Sequence, residues 1–214
     1  MNTLRILTSA ALLLLALLSL SACSAVPGKP ASVSKGSLTL SQAYTWYDGQ
    51  TARTVWLNPQ LLAEFGGGTP ATAAAVKAAD AGASLVEETR PQVRGLRLWR
   101  LQSPALPTVR SLTTNAPAGR YSPVFHDSAS SQGSMRALPG NIIVTLNPAW
   151  DDAQAQQWIA AHQLEVVKKL PFGRHIYVFK TAPGLAALET ANALYRSGEV
   201  VSATPDWWQE VATR

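Results

Sequence analysis

The stretch from Leu138 to Trp208 alternates between two hydrophobic periodicities, and this order leaves few folds open. Apolar residues at every second position predict strands in GNIIVTLNP, LEVVKKLP, HIYVFKTA and EVVSATPDWW. Helical spacing predicts a helix in AWDDAQAQQWIAAHQ, capped by Asp151 and Gln154, and another in PGLAALETANALYRSG, ended by Gly198. The order β-α-β-β-α-β is the ferredoxin-like arrangement, a four-stranded antiparallel sheet with both helices on one face. The predicted class is therefore α+β.

Both faces of this predicted sheet carry apolar side chains, whereas two helices can cover only one face. In HIYVFK, Tyr177 and Phe179 alternate with Ile176 and Val178, so the two pairs point to opposite faces. An exposed aromatic face in a soluble domain marks a partner surface. The alternative is that the preceding part of the chain folds over it. The candidate partner-binding residues are Tyr177, Phe179, Trp207 and Trp208.

Residues 37–102 predict a small β-rich domain ahead of this sheet. SLTLSQAYTWYDGQTARTVWLN indicates two strands joined at Asp48-Gly49, because glycine accepts the positive φ of a hairpin turn. PQLLAEF predicts a short helix with Pro59 in its first turn, and ATAAAVKAADAG predicts a second helix closed by Gly82. SLVEETRPQVRGLRLWRL predicts two further strands.

Residues 103–137 are rich in Ser, Pro, Gly and Thr, and this composition predicts a linker. His126-Asp127-Ser128 contains the residue types of a hydrolase triad, but three consecutive side chains cannot converge on one reacting atom. The other histidines, His162 and His175, are far away in the sequence, and the chain has a single cysteine. We therefore predict no catalytic residue, no cofactor and no metal site.

The first 22 residues predict a lipoprotein signal peptide. Their apolar run is too short to span a membrane, and Leu20-Ser21-Ala22-Cys23 resembles a bacterial lipobox, which implies that Cys23 carries the lipid. Residues 23–36 then form a flexible tether. Because serine rather than aspartate follows the cysteine, the resemblance implies an outer-membrane lipoprotein facing the periplasm. A plain signal peptide of a secreted protein is the alternative.

The basic residues are modestly in excess, with a formal net charge of +5. Arg90, Arg94, Arg97 and Arg100 could form a patch for nucleic acid or lipid headgroups. They alternate with apolar residues in VRGLRLWRL, which favours a solvated strand face. We predict no nucleic-acid partner.

The segment 138–208 resembles the propeptide domains of subtilisin-like serine proteases, particularly the fervidolysin type. Gln163 departs from the family pattern, which has glycine before the second strand. The arrangement also looks like the external chaperones that some Gram-negative bacteria encode beside a subtilisin- or kexin-like secreted protease. The matching marks are Pro139-Gly140, Ala153-Gln154, Leu164–Pro171, IYVF, Pro183-Gly184 and Val200–Pro205.

The resemblance implies a binding function without chemistry. In the family, the propeptide sheet packs on two surface helices of the protease and assists its folding, while the C-terminal tail lies in the substrate cleft as a product-like inhibitor. No catalytic domain follows residues 138–214 in this sequence, so the protease is expected to be a separate protein. Arg214 would fill the pocket for the residue before the cleaved bond. The tail residues are Glu210, Val211, Ala212, Thr213 and Arg214.

Two other interpretations remain open. One is an outer-membrane lipoprotein that uses the same domain in a structural or envelope protein-binding role. The other is a vestigial protease fragment without a present partner.

Overall fold

The computed structural model of the protein describes residues 38–66, 68–86, 95–115 and 119–210. Within these ranges the chain forms four helices and two antiparallel sheets, so the predicted α+β class is confirmed. The seven-stranded sheet and its helices comprise β1 (Ala43–Asp48), β2 (Thr51–Phe65), α1 (Pro70–Ala79), β3 (Ser84–Leu85), β4 (Leu96–Arg100), α2 (Ala105–Asn115), β5 (Arg120–His126), β6 (Met135–Ala137) and β11 (Trp208–Gln209). The four-stranded sheet and its helices comprise β7 (Ile142–Thr145), α3 (Asp152–Ala161), β8 (Val166–Lys169), β9 (Ile176–Phe179), α4 (Leu185–Ser197) and β10 (Ser202–Pro205).

The seven-stranded sheet is built around the long strand β2. Its strand order is β11-β6-β5-β2-β4-β3, and β1 pairs with β2 as a hairpin. The hairpin turn follows Asp48, and Gly49 has a φ of 60°, which confirms the predicted turn. Helices α1 and α2 pack on one face, where Leu62 and Trp99 meet Val76 and Leu112.

The helix predicted for PQLLAEF is wrong, because these residues form the second half of β2. This half pairs with β4 on one side and β5 on the other, and Leu62 and Ala63 are fully buried. Pro59 is tolerated because it lies in the irregularity between Asn58 and Leu62, where the register shifts. Burial on both faces removes the alternation that normally marks a strand.

The linker predicted for residues 103–137 is also wrong, because the segment holds α2, β5 and β6. Every residue of β5 after Arg120 is buried, including Tyr121 and Phe125. Ser122 sits in the core because its hydroxyl donates to the Pro123 carbonyl at 2.7 Å and accepts from the Leu138 amide at 2.9 Å. The described residues of the two predicted domains belong to one compact unit.

The four-stranded sheet has the strand order β10-β7-β9-β8, and every pair is antiparallel. In chain order its elements alternate as β7, α3, β8, β9, α4 and β10. The predicted capping box of α3 is confirmed: the Gln154 amide donates to Asp151 at 2.8 Å, and the Asp151 amide donates to Gln154 at 2.9 Å. Gly198 ends α4 in the left-handed conformation, as predicted.

Candidate functional site

The covered face of the four-stranded sheet is the aromatic one. Ile142 pairs with Phe179 and Val144 pairs with Tyr177, so these four side chains point to the same face. All four belong to the core cluster that includes residues of α3 and α4. The exposed fractions of Tyr177 and Phe179 are 2% and 0%.

The prediction that Tyr177 and Phe179 bind a partner is therefore wrong. The alternation in IYVF is as predicted, but the helices cover the aromatic side chains rather than the aliphatic ones. A large aromatic ring gains more free energy from burial than a smaller aliphatic side chain does.

The opposite face carries β-branched and hydroxyl side chains. Ile143 pairs with Val178 and Thr204, and Thr145 pairs with Ile176. Apart from Val178, which is buried, these side chains are half-buried. We name this surface the open sheet face, because the observed contacts of α4 with β7 and β10 lie on the other side. It consists of Ile143, Thr145, Ile176, Val178 and Thr204.

Two charged residues border the open sheet face. Lys168 pairs with Val178 and is exposed, while Asp206 follows the end of β10 and is half-buried. Burial raises the pKa of the Asp206 carboxyl, and the nearby charge of Lys168 acts in the opposite direction. If a partner buried Asp206 further, the carboxyl would have to take up a proton or accept a hydrogen bond from the partner.

A large apolar side chain is exposed at one end of this sheet, and sequence reasoning missed it. Phe172 lies in the turn between β8 and β9 and is 64% exposed. The turn passes close to β9: at Gly173, which has a φ of 72°, an added Cβ would lie 2.6 Å from Ile176 Cδ1. The sequence signal for this exposed side chain is an aromatic residue within the predicted turn PFGR.

The two tryptophans after β10 do not lie on the open sheet face, although Trp207 and Trp208 are both predicted to bind a partner. The ring of Trp207 packs edge-on against Trp46 and Phe125, with ring centroids 5.7 Å apart in each pair. Trp208 lies in β11, where it pairs with Ala137 of the other sheet. The chain passes from one sheet to the other at these residues, and both tryptophans are therefore part of the packed fold.

The first residue of the predicted tail is also part of the fold. The Glu210 amide donates to the Met135 carbonyl at 2.9 Å, and the Met135 amide donates to the Glu210 carboxylate at 3.3 Å. Glu210 is therefore held against β6 instead of extending as a free tail. The residues that remain as candidates for a protease cleft, Val211, Ala212, Thr213 and Arg214, lie outside the described residues, as does Cys23.

Each of the three histidines has a structural role. Buried His126 accepts a hydrogen bond from Asn58 Nδ2 at 3.1 Å through Nε2 and donates to the Gly133 carbonyl at 2.8 Å through Nδ1. His162 donates through Nδ1 to the Trp158 carbonyl at the end of α3, and His175 Nε2 donates to the Trp150 carbonyl. In the described ranges, no group of three or more His, Cys, Asp or Glu side chains could hold a metal ion.

Among the residues that the structure describes, no helix is long and apolar enough to cross a bilayer.

Comparisons with known proteins do not assign the chain to a family. No protein-family model matches it. No curated protein matches it. A solved structure described as a glycine cleavage system transcriptional repressor aligns with 70% of this chain and 96% of its own length, at 13% identity and a TM-score of 0.20. A likeness at this level informs neither the fold nor the function.

Proposed function

We propose that this protein is an external chaperone and inhibitor of a secreted subtilisin- or kexin-like serine protease, and that it binds the protease through the open sheet face. One observation carries the proposal: the antiparallel sheet β10-β7-β9-β8 has α3 and α4 on one face and an opposite face free of described helices. Such a sheet fits the ferredoxin-like arrangement expected from the resemblance of residues 138–208 to subtilisin-like propeptides.

The composition of the open sheet face suits a helical surface of a partner. Its β-branched side chains have few rotamers to lose, so binding costs little side-chain entropy. Ile143 and Ile176 supply apolar area, and the hydroxyls of Thr145 and Thr204 tolerate water when the protein is alone. Phe172 is the best candidate for an anchor, because exposed aromatic side chains that fill a partner pocket carry a large share of binding energy.

Inhibition is assigned to the residues after Glu210. A segment of four residues extends at most about 14 Å, enough to place a short strand in a substrate cleft. Arg214 would then occupy a pocket that prefers a basic side chain and add specificity through a bidentate ion pair. An acylated Cys23 would hold the complex at the outer membrane, facing the periplasm.

The test uses the purified protein and each subtilisin- or kexin-like protease secreted by its own organism. Hydrolysis of a fluorogenic peptide should stop at a one-to-one molar ratio, and the yield of active protease after denaturation should rise when the protein is present. Phe172→Ser should weaken both effects by about tenfold or more. Leu85→Ser is the matched control, because Leu85 is 49% exposed on the other sheet.

The tail is tested separately. Deletion of Thr213 and Arg214 should weaken inhibition and leave the refolding yield nearly unchanged, because only inhibition depends on the cleft. If none of these proteases is inhibited or assisted, the proposal fails. If the protein instead binds an envelope protein, and Phe172→Ser weakens that binding, the result would support the alternative of a structural outer-membrane lipoprotein.

A further inference from the structure

The seven-stranded sheet presents a second apolar surface, on the face opposite α1 and α2. Its centre consists of the buried residues Ala63, Val124 and Ala137, together with Phe65. Larger, half-buried side chains surround them, and every member of this cluster comes from a strand. We name it the apolar sheet face. Its surrounding side chains are Leu61, Leu96, Leu98, Met135 and Trp208.

The register separates this face from the one that the helices cover. Leu62 pairs with Trp99, and both pack against α1 and α2. Their sequence neighbours Ala63 and Leu98 pair with each other and therefore point to the other side of the sheet. No described helix contributes to the apolar sheet face.

Positive charge lies at both ends of the apolar sheet face. Arg100 pairs with Leu61 and Arg120 pairs with Phe65, so both arginines point to this face, and both are exposed. Neither has an ion-pair partner among the described side chains. Glu64, the one acidic residue of β2, β4, β5 and β6, points to the helix face, where Arg97 binds it. Glu210 lies at the edge of the apolar sheet face, where its carboxylate accepts a hydrogen bond from the Met135 amide.

The start of the described chain is attached next to this face. Leu38 and Leu40 lie along the loop between β5 and β6: the Leu38 amide donates to Ser131 Oγ at 2.8 Å, and the Leu40 amide donates to the Ala129 carbonyl at 2.8 Å. Strands β5 and β6, which this loop joins, both contribute side chains to the apolar sheet face. From Cys23 to Leu38 the chain spans at most roughly 50 Å, so an acylated Cys23 would keep this face close to a bilayer.

We propose that the apolar sheet face docks on the surface of an anionic phospholipid bilayer. Tryptophan and leucine side chains enter the interfacial region, and arginines at the edge bind headgroup phosphates. Trp208, Leu98 and Leu61 supply the first group, and Arg100 and Arg120 supply the second. This inference is independent of the proposed protease partner, because the open sheet face belongs to the other sheet.

The experiment uses the chain from Ser24 onwards without lipid, which contains all the described residues of the compact unit. Flotation with vesicles of phosphatidylethanolamine and phosphatidylglycerol should recover bound protein, while vesicles of phosphatidylcholine alone should recover little. Arg100→Glu with Arg120→Glu should weaken the partition by more than about tenfold. The charge-matched control, Arg110→Glu with Arg196→Glu on the exposed sides of α2 and α4, should bind like the wild type.

Orientation is read from tryptophan fluorescence. Lipids with brominated chains should quench part of the emission, and Trp208→Phe should remove more of this quenching than Trp150→Phe, which changes the turn between β7 and α3. Failure to float with anionic vesicles, or an equal loss in both charge-reversed proteins, would overturn the proposal. A dimer in light scattering that Leu98→Glu dissociates would also overturn it, because the face would then belong to a second copy.

Discussion

Arg97 forms a bidentate ion pair with Glu64, which is fully buried near the end of β2. Its Nε donates to Oε2 at 3.0 Å and its Nη2 donates to Oε1 at 2.6 Å. Trp99 Nε1 donates to the same carboxylate at 2.8 Å. The sequence pattern predicts a solvated strand face for Arg97, and the structure corrects this: the guanidinium satisfies a buried charge beneath α1.

Loss of this guanidinium should be costly. Arg97→Leu leaves the Glu64 carboxylate buried with only neutral donors, and we expect the free energy of unfolding to fall by about 3 kcal/mol or more. Urea denaturation followed by circular dichroism measures the change. The reference is Arg97→Leu combined with Glu64→Leu, which removes both charges and should recover much of the loss. A single variant within about 1 kcal/mol of the wild type would show that the pair contributes little.

The same carboxylate should make stability depend on pH. Burial acts to raise the pKa of Glu64, but hydrogen bonds from Arg97, Thr72 and Trp99 and the charge of Arg97 outweigh it, so the pKa is lowered. A lowered pKa stabilises the fold above the ordinary glutamate pKa of about 4.3, and this contribution is lost as the pH falls through the folded-state value.

The melting temperature of the wild type should therefore fall below about pH 4.5. The Arg97→Leu, Glu64→Leu protein lacks the titrating group and should lose less over the same range. Asp80 also has a lowered pKa, because the amides of Ser103, Gln102 and Gly82 donate to it, so some pH dependence should persist. Identical pH profiles for the two proteins would contradict the assignment to Glu64.

A third prediction concerns the residue that departs from the propeptide pattern. Gln163 follows α3 with a φ of 54°, a left-handed conformation that glycine adopts without strain. Gln163→Gly should stabilise the protein by up to about 1 kcal/mol, because relief of strain exceeds the greater chain entropy of glycine when unfolded. The control is Gln157→Gly, on the exposed side of α3, which should destabilise by about 1 kcal/mol. Thermal melts of both variants give the comparison.

The sequence predicts the local signals of this fold better than its long-range packing. Asp48-Gly49, Asp151 with Gln154, and Gly198 act within a few residues, so their turn and helix ends are readable directly. The alternation in IYVF is readable too, but which face the helices cover depends on the whole sheet. Tyr177 and Phe179 are for this reason misassigned as partner residues.

Two of the segments that sequence reasoning misplaced are strands in the interior of the seven-stranded sheet. β2 after Pro59 and β5 after Arg120 lie between other strands, with Glu64, Ser122 and Pro123 among their residues. Each of these polar or cyclic residues suggests a helix or loop on its own. Their place in a sheet depends on partners that are distant in the sequence, such as Arg97 for Glu64.

The last prediction tests whether β5 joins the two sheets into one cooperative unit. Phe125 lies in a core cluster that includes Trp46 of β1, Ile142 of β7 and Leu188 of α4, and its ring meets Trp207 edge-on. Phe125→Ala should destabilise the protein by about 3–5 kcal/mol, because it leaves a cavity in that shared core. Phe172→Ala, which removes an exposed ring, should change stability by less than about 0.5 kcal/mol.

Calorimetry of the wild type should give one transition whose van't Hoff and calorimetric enthalpies agree. Two transitions, of which only the first shifts to a lower temperature in Phe125→Ala, would show that the two sheets unfold as separate domains.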